Sequence, residues 1–224
     1  MLKDEERSFV VLALPFYNSL SLEEQQGLEN QIVFKTFRKG ESMHRGSEDC
    51  AGLFLVKTGH IRVFMLSESG KEITLYRLFS RDICIFSASC MLADINFDVF
   101  IEAEVETQAL VIPAEEYFSL QKKVPAVSNY TTGLLSSRFS EVMWVMEQVM
   151  FQSFDRRLAG FLLNQSAIEE SDTLKITHET IAKHLGSARE VVTRMLNYFQ
   201  EEGMVTLSRG GITITDRKKI QQLD

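Results

Sequence analysis

From Lys175 to Thr215 the chain reads KITHETIAKHLGSAREVVTRMLNYFQEEGMVTLSRGGITIT, and no other run restricts its folding as strongly. Thr177, with Glu179 close behind, is placed to cap a helix from about His178. Ile181, Ala182 and Leu185 face inward on it, Gly186 offers the positive φ of a tight turn, and Ser187 is placed to cap a second helix. Drawn at about 100° per residue, that second helix gathers Arg189, Glu190, Thr193, Arg194 and Asn197 near one arc and Val191, Val192, Met195, Leu196 and Phe199 on the other. Two short alternating segments follow, Met204–Leu207 and Ile212–Thr215, joined through Ser208, Arg209, Gly210 and Gly211 as a β-hairpin. The pattern is a helix-turn-helix with a wing, a motif whose second helix places its leading residues on base edges in the DNA major groove. Arginine pairs bidentately with guanine O6 and N7, and glutamate accepts from cytosine N4. The expected DNA-binding set is therefore Arg189, Glu190 and Arg194, with Ser187, Thr193, His178 and the tip residue Arg209 beside them. The bland alternative is a solvated helix face carrying a Glu190–Arg194 pair.

The rest of the chain is built differently. A small helical element, capped by Ser21, occupies about residues 16–30, and from Phe34 to about Pro113 short β-type runs alternate with glycine turns. Alternation is plain in His60-Ile61-Arg62-Val63-Phe64 and in Lys71 through Tyr76, and no helix long enough for a βαβ crossover interrupts. Such spacing predicts an antiparallel sandwich or barrel. A short helix starts at Pro113, and a long one runs from about Ala126 to Phe151, with Leu135, Val142 and Val149 at sevenfold spacing as the expected dimer interface. Apolar on more than one side, the long helix needs two partners, which points to its own β domain and a twin helix. The fold class expected is α+β: residues 1–125 a jelly-roll (double-stranded β-helix) sensor, 126–151 a dimerisation helix, and 152–224 a winged helix-turn-helix.

A net charge of −7 looks wrong for a DNA binder, because phosphate contacts supply nonspecific affinity. Its distribution is less adverse: residues 177–224 hold seven Lys/Arg against six Asp/Glu, a balance of +1, so residues 1–176 carry −8. The three cysteines, Cys50, Cys84 and Cys90, form no metal-spaced cluster and are odd in number, which suggests a reducing cytoplasm. The first twenty residues predict neither a signal peptide nor a membrane span. A cupin-like metal enzyme on the β domain would need clustered ligands, yet His44 and His60 are isolated and His178 and His184 lie in the helix-turn-helix. Neither a metal site nor a catalytic set is expected. A regulatory module acting on protein partners without DNA would leave the winged motif unexplained.

The order small helix, β-roll, long helix, winged helix-turn-helix resembles the CRP/FNR superfamily of bacterial transcription regulators over essentially the whole chain. The resemblance rests on Lys39-Gly40-Glu41, Arg45-Gly46, Lys57-Thr58-Gly59-His60-Ile61-Arg62-Val63 and Ser69-Gly70-Lys71-Glu72 in the β-roll, and on Ser187-Ala188-Arg189-Glu190-Val191-Val192-Thr193-Arg194 in the recognition helix. Arg189, Glu190 and Arg194 stand where the catabolite-activator branch has its base-reading residues, whereas Ala188 and Val191 replace hydroxyl residues that often touch phosphate there. The resemblance implies a homodimer on a palindromic double-stranded operator, TGTGA-like half-sites, and contact with RNA polymerase.

The signal is harder to read. The cyclic-AMP branch holds its ligand with a Gly-Glu and an Arg-Ser/Thr, and both are missing here, around Ile85-Phe86 and around Phe97-Asp98. Cyclic AMP is therefore not expected, since an aspartate repels phosphate. A four-cysteine iron–sulfur cluster is excluded by count. Haem needs an axial His, Met or Cys, for which His44, His60 and Cys84 are eligible but unspecific. The expected effector pocket comprises Cys84, Phe86, Ser87, Ser89, Cys90, Phe97 and Val99, with Tyr130 and Leu134 from the long helix, and favours an apolar or neutral ligand. Cys84 and Cys90 are either a redox pair or inert buried thiols.

Overall fold

The computed structural model describes residues 3–46, 51–91 and 97–223, and of residues 89–91 the backbone alone. Tertiary contacts divide the chain into one unit of Met1–Leu66 with Leu75–Val142 and a second of Ser67–Thr74 with Met143–Asp224.

The first unit begins with helix α1, Asp4–Ala13, which the sequence did not announce, and α2, Leu22–Gln31. Ser21 caps α2 as expected: its hydroxyl accepts from the Glu24 N–H and the Glu24 carboxylate accepts from the Ser21 N–H. Among the described residues eight strands follow: β1 (Val33–Phe37), β2 (Ser42–Arg45), β3 (Leu53–Thr58), β4 (Ile61–Leu66), β5 (Glu72–Leu78), β6 (Ile83–Cys84), β7 (Phe100–Ala103) and β8 (Thr107–Ile112). They form two four-stranded sheets in the orders β1-β8-β3-β6 and β2-β7-β4-β5, whose registered pairs are antiparallel. The expected β-roll is thus present, and its inward residues, among them Leu53, Leu55, Ile61, Val63, Leu78, Ile101 and Leu110, are fully buried. Each such side chain contributes about 1.5–3 kcal/mol. Gly59, between β3 and β4, has φ 78°, and a Cβ there would meet the Glu106 carbonyl oxygen at 2.5 Å, so the turn excludes every other residue.

Helix α3, Ala114–Lys123, sends Tyr117 into the core, where its hydroxyl donates to Thr131 Oγ1 at 2.8 Å. Thr131 in turn donates to the Val127 carbonyl, so the polar pair is closed. Helix α4 spans Pro125–Phe151. Its 27 residues reach about 40 Å at 1.5 Å per residue. The sevenfold stripe on it divides: Leu135 and Val142 are half-buried and pack on the β-roll core, while Val149 is 46% exposed. The outward row is instead Phe139, Met143, Met146 and Met150, all exposed. At 3.6 residues per turn a strict seven-residue stripe drifts around a straight helix, so one end of it leaves the face the other end covers.

The second unit carries α5 (Phe154–Glu169), β9 (Thr173–Leu174), α6 (His178–Leu185), α7 (Arg189–Glu201), β10 (Val205–Ser208), β11 (Gly211–Ile214) and α8 (Arg217–Leu223). Strands β10, β11 and β9 make a three-stranded antiparallel sheet in that order. Its separate core gathers Leu158, Leu162, Leu174, Ile181, Val192, Leu196, Phe199, Ile212 and Ile220, each buried. Arg157 of α5 donates to the Leu185 carbonyl at 3.0 Å and so satisfies a C-terminal acceptor of α6. The segment Ser67–Thr74 belongs to this unit, with Thr74 Oγ1 2.8 Å from His184 Nδ1 and Glu72 paired to Lys183 at 3.0 Å.

Candidate nucleic-acid interface

Helix α6 starts as its sequence directs, with the Thr177 hydroxyl accepting from the Thr180 N–H at 3.1 Å. It ends at Gly186, whose φ of 62° is left-handed, and the Ser187 N–H returns to the Ala182 carbonyl at 3.0 Å. One local expectation fails here. Ser187 does not cap α7; the cap position is Ala188, which has no side-chain acceptor, because the return bond to Ala182 places Ser187 inside the turn. The leading N–H groups of α7 thus lack a side-chain cap, and the positive end of the helix is left for an outside acceptor.

On α7 the division of faces follows the helical period. Val192, Leu196 and Phe199 are fully buried, and Arg189, Glu190, Arg194 and Asn197 are exposed. Arg189, Glu190, Thr193, Arg194, Asn197, Tyr198 and Glu201 line one open groove along the outward face. Thr193 is only half-exposed because its hydroxyl is engaged: it donates to the Arg189 carbonyl at 2.9 Å and lies 2.9 Å from His178 Nδ1. With that proton spent, His178 Nδ1 carries the hydrogen and donates to Thr193, leaving Nε2 as the free ring nitrogen. Burial, and secondarily the Arg189 charge, hold His178 below its ordinary value, so it is neutral at pH 7.

The wing is built as a hairpin with Ser208 paired to Gly211, which places Arg209 and Gly210 in a two-residue turn. Gly210 has φ 81°, and Arg209 is exposed at the tip. A second cleft runs from Thr177 and His178 past Arg189 to Ser208 and Gly210. It brings the start of α6, the start of α7 and the wing together, so His178, Arg189 and the wing tip share one surface. Tyr198, Thr177 and Ser208 also line these grooves although the sequence reading did not select them. Tyr198 sits at the edge of the helix arc, where polar and apolar assignments overlap.

The expected effector residues are arranged less openly. Cys84, Phe86, Ser87 and Val99 are buried, and the Ser87 hydroxyl donates to the Cys84 carbonyl at 2.9 Å. Phe97 is 43% exposed and meets Phe86 edge to face. Tyr130 packs on Phe16, and Leu134 on the β-roll core. The side chains of Ser89 and Cys90 lie outside the described residues. Burial pushes the Cys84 thiol up to about 11, which leaves it protonated and a poor nucleophile or ligand at neutral pH. Of the other eligible haem ligands, His44 is buried, and His60 lies 3.6 Å from Glu104 with its ring tilted by 38° against Phe79. Among the described residues no group of three or more His, Cys, Asp or Glu is arranged to hold a metal ion, and no helix is long and apolar enough to cross a membrane.

A β-roll in one unit and a winged helix-turn-helix with an exposed arginine-bearing helix in the other define a DNA-binding regulator. Residues 34–123 match the model of the cyclic nucleotide-binding domain, and residues 156–223 that of the Crp-like helix-turn-helix domain. A crystal structure from Eubacterium rectale, assigned as a transcriptional regulator of the CRP/FNR family, is 50% identical, covers 95% of this chain and 98% of its own, and superposes with a TM-score of 0.93. The cyclic AMP receptor protein of Thermus thermophilus is 24% identical over 93% of this chain and 96% of its own length. The transcriptional activator protein anr of Pseudomonas aeruginosa is 26% identical over 93% and 87%. The chain belongs to the CRP/FNR family of DNA-binding transcription regulators.

Proposed function

We propose that the protein acts as a homodimer that binds a palindromic operator, reading each half-site with Arg189, Glu190 and Arg194 of α7. The observation that carries this reading is the exposure of these three side chains on the leading turns of a helix whose opposite face is buried. His178, on the cleft toward the wing, and Arg209, exposed at the wing tip, are positioned for phosphate, as is the uncapped start of α7. Ser187 and Thr193 serve the turn and the packing of His178 more than base reading.

The second copy covers α4. Phe139, Met143, Met146 and Met150 recur at alternating four- and three-residue steps, the stripe a twin helix buries. The functional division runs as residues 1–125 for the sensor, 126–151 for the dimer helix and 152–224 for DNA. The protein works in the cytoplasm without catalysis and passes its signal to RNA polymerase. Cyclic AMP is not that signal, although one relative is named for it, because Phe86 and Asp98 stand where that branch has its acid and arginine.

Selection from randomised duplexes with wild type, R189A, R194A and R209A tests the reading. Each recognition-helix variant is expected to blur one base pair per half-site, whereas R209A weakens all sequences alike. Retention of the wild-type motif by both helix variants would overturn the base-reading assignment.

A further inference from the structure

Arg138 is a cation in the wrong place for an ordinary helix. It lies on α4 with 7% of its surface exposed, and its guanidinium carbon stands 4.9 Å from the Tyr76 ring centroid. One of its terminal nitrogens donates to both oxygens of Glu141 at 2.7 and 2.8 Å. Its Nε is buried and has no acceptor among the described residues, and the Tyr76 hydroxyl, in a residue also 7% exposed, has no partner among them either. Two polar groups are thus left unsatisfied side by side, each at a cost that folding does not tolerate without cause.

Their surroundings suggest the cause. Tyr76 lies on β5 and Cys84 on β6, the end strands of the two sheets in the β-roll, and Phe86 lies 6.4 Å from the Tyr76 ring. The N–H and O–H donors thus belong to two buried side chains in contact with each other, beside an aromatic ring. A carboxylate supplies the two acceptor oxygens such a pair lacks, and arginine with a carboxylate makes the strongest of the neutral-pH hydrogen bonds. A phosphate dianion fits less well, because a single guanidinium already shared with Glu141 would have to offset two charges. Glu141 is 38% exposed in its side chain and is free to swing to water when a second anion arrives.

We propose that Arg138 and Tyr76 form the anchor of an effector site for a small organic carboxylate with an apolar body. This deepens the sensor reading above and rests on it. It also changes the expected ligand, which the β-roll segment alone marked as neutral: the positive charge comes from α4, eight residues beyond Tyr130, where the effector segment gave no hint of it.

Calorimetry and thermal melting on the full chain compare hexanoate with hexanamide, benzoate with benzamide, and inorganic phosphate. At least one acid is expected to bind about tenfold or more tightly than its amide, since hydrogen bonds to charged groups carry that much. Arg138→Gln abolishes the preference for the acid, and Arg138→Lys keeps it at reduced affinity. Tyr76→Phe raises the melting temperature of the ligand-free protein by removing an unpartnered hydroxyl, yet weakens the acid. Binding of neither acid at millimolar concentration, equal binding of acid and amide, phosphate preferred to both acids, or an acid affinity unmoved by Arg138→Gln would each overturn the proposal. Operator affinity followed by fluorescence anisotropy separates the two readings. An acid that binds through Arg138 without changing operator affinity sinks the sensor role and keeps the site.

Discussion

Helices α4 and α7 invert each other. On α7 the apolar residues Val192, Leu196 and Phe199 are buried and the arginines face out; on α4 Phe139, Met143 and Met150 face out, and the arginine, Arg138, is buried. An exposed guanidinium stays hydrated and cheap until it meets phosphate or a base edge, so α7 suits a polar partner recognised in water. An exposed methionine and aromatic row carries an unfavourable hydration that only another apolar surface removes, so α4 suits a second protein helix. The difference teaches that exposure, more than residue type, marks what a helix is for in this chain.

The sharpest way to break that contrast is to make α4 resemble α7. Met143→Glu places a carboxylate in the row proposed to pack on a twin helix, where burying an unpaired charge costs several kcal/mol, upward of about 3. Light scattering is expected to show monomers with an intact circular dichroism spectrum. A persistent dimer would move the interface elsewhere. Trimming α7 gives the next largest effect: R189A and R194A each lose about 1–3 kcal/mol on the best operator, read by anisotropy titration against single-base variants. R209A at the wing is expected to lose about 1 kcal/mol or less, equally on every duplex, and to flatten the salt dependence. Equal specificity loss in all three variants would remove the distinction between helix and wing.

Acid provides a smaller, signed test. His178 is held below its ordinary value in the folded chain, so the folded state resists its protonation, and its contribution to stability is lost as pH falls below about 6.5. DNA reverses the sign. A phosphate beside the ring favours the charged form, so operator binding tightens by about 1 kcal/mol or less over the same fall in pH. His178→Gln is expected to remove both slopes, read by melting temperature and anisotropy from pH 8 to 5.5. The smallest effect concerns Cys84: with its thiol near 11 and buried, Cys84→Ser leaves operator affinity insensitive to oxidant and reductant, and a redox response lost in that variant would contradict its inertness.

Much of this organisation was legible in the chain. Gly186, Thr177 and the inward row of α7 announced the helix-turn-helix because caps, left-handed turns and a 3.6-residue period are local consequences of residue type. The glycine-punctuated alternation likewise announced the β-roll, since glycine at 59 is demanded by backbone clearance. Helix α1 and α8 were missed for the converse reason: Asp4–Ala13 and Arg217–Leu223 are short and weakly patterned, so their helicity rests on docking Val10 and Ile220 into cores assembled from distant residues.

By itself, then, the sequence determined the kinds of element, their order, and the arginines on the outward face of α7, because those depend on nearest neighbours along the chain. The tertiary structure decided what depends on residues far apart. It turned Leu135 and Val142 toward the β-roll core and left Phe139 and Met143 outside, it placed Ser187 inside its turn, and it buried Arg138 against Tyr76, sixty-two positions away. A helical period fixes which side chains share a face, but only packing against another part of the molecule fixes which face is covered, and burial in turn decides which polar groups are left without partners.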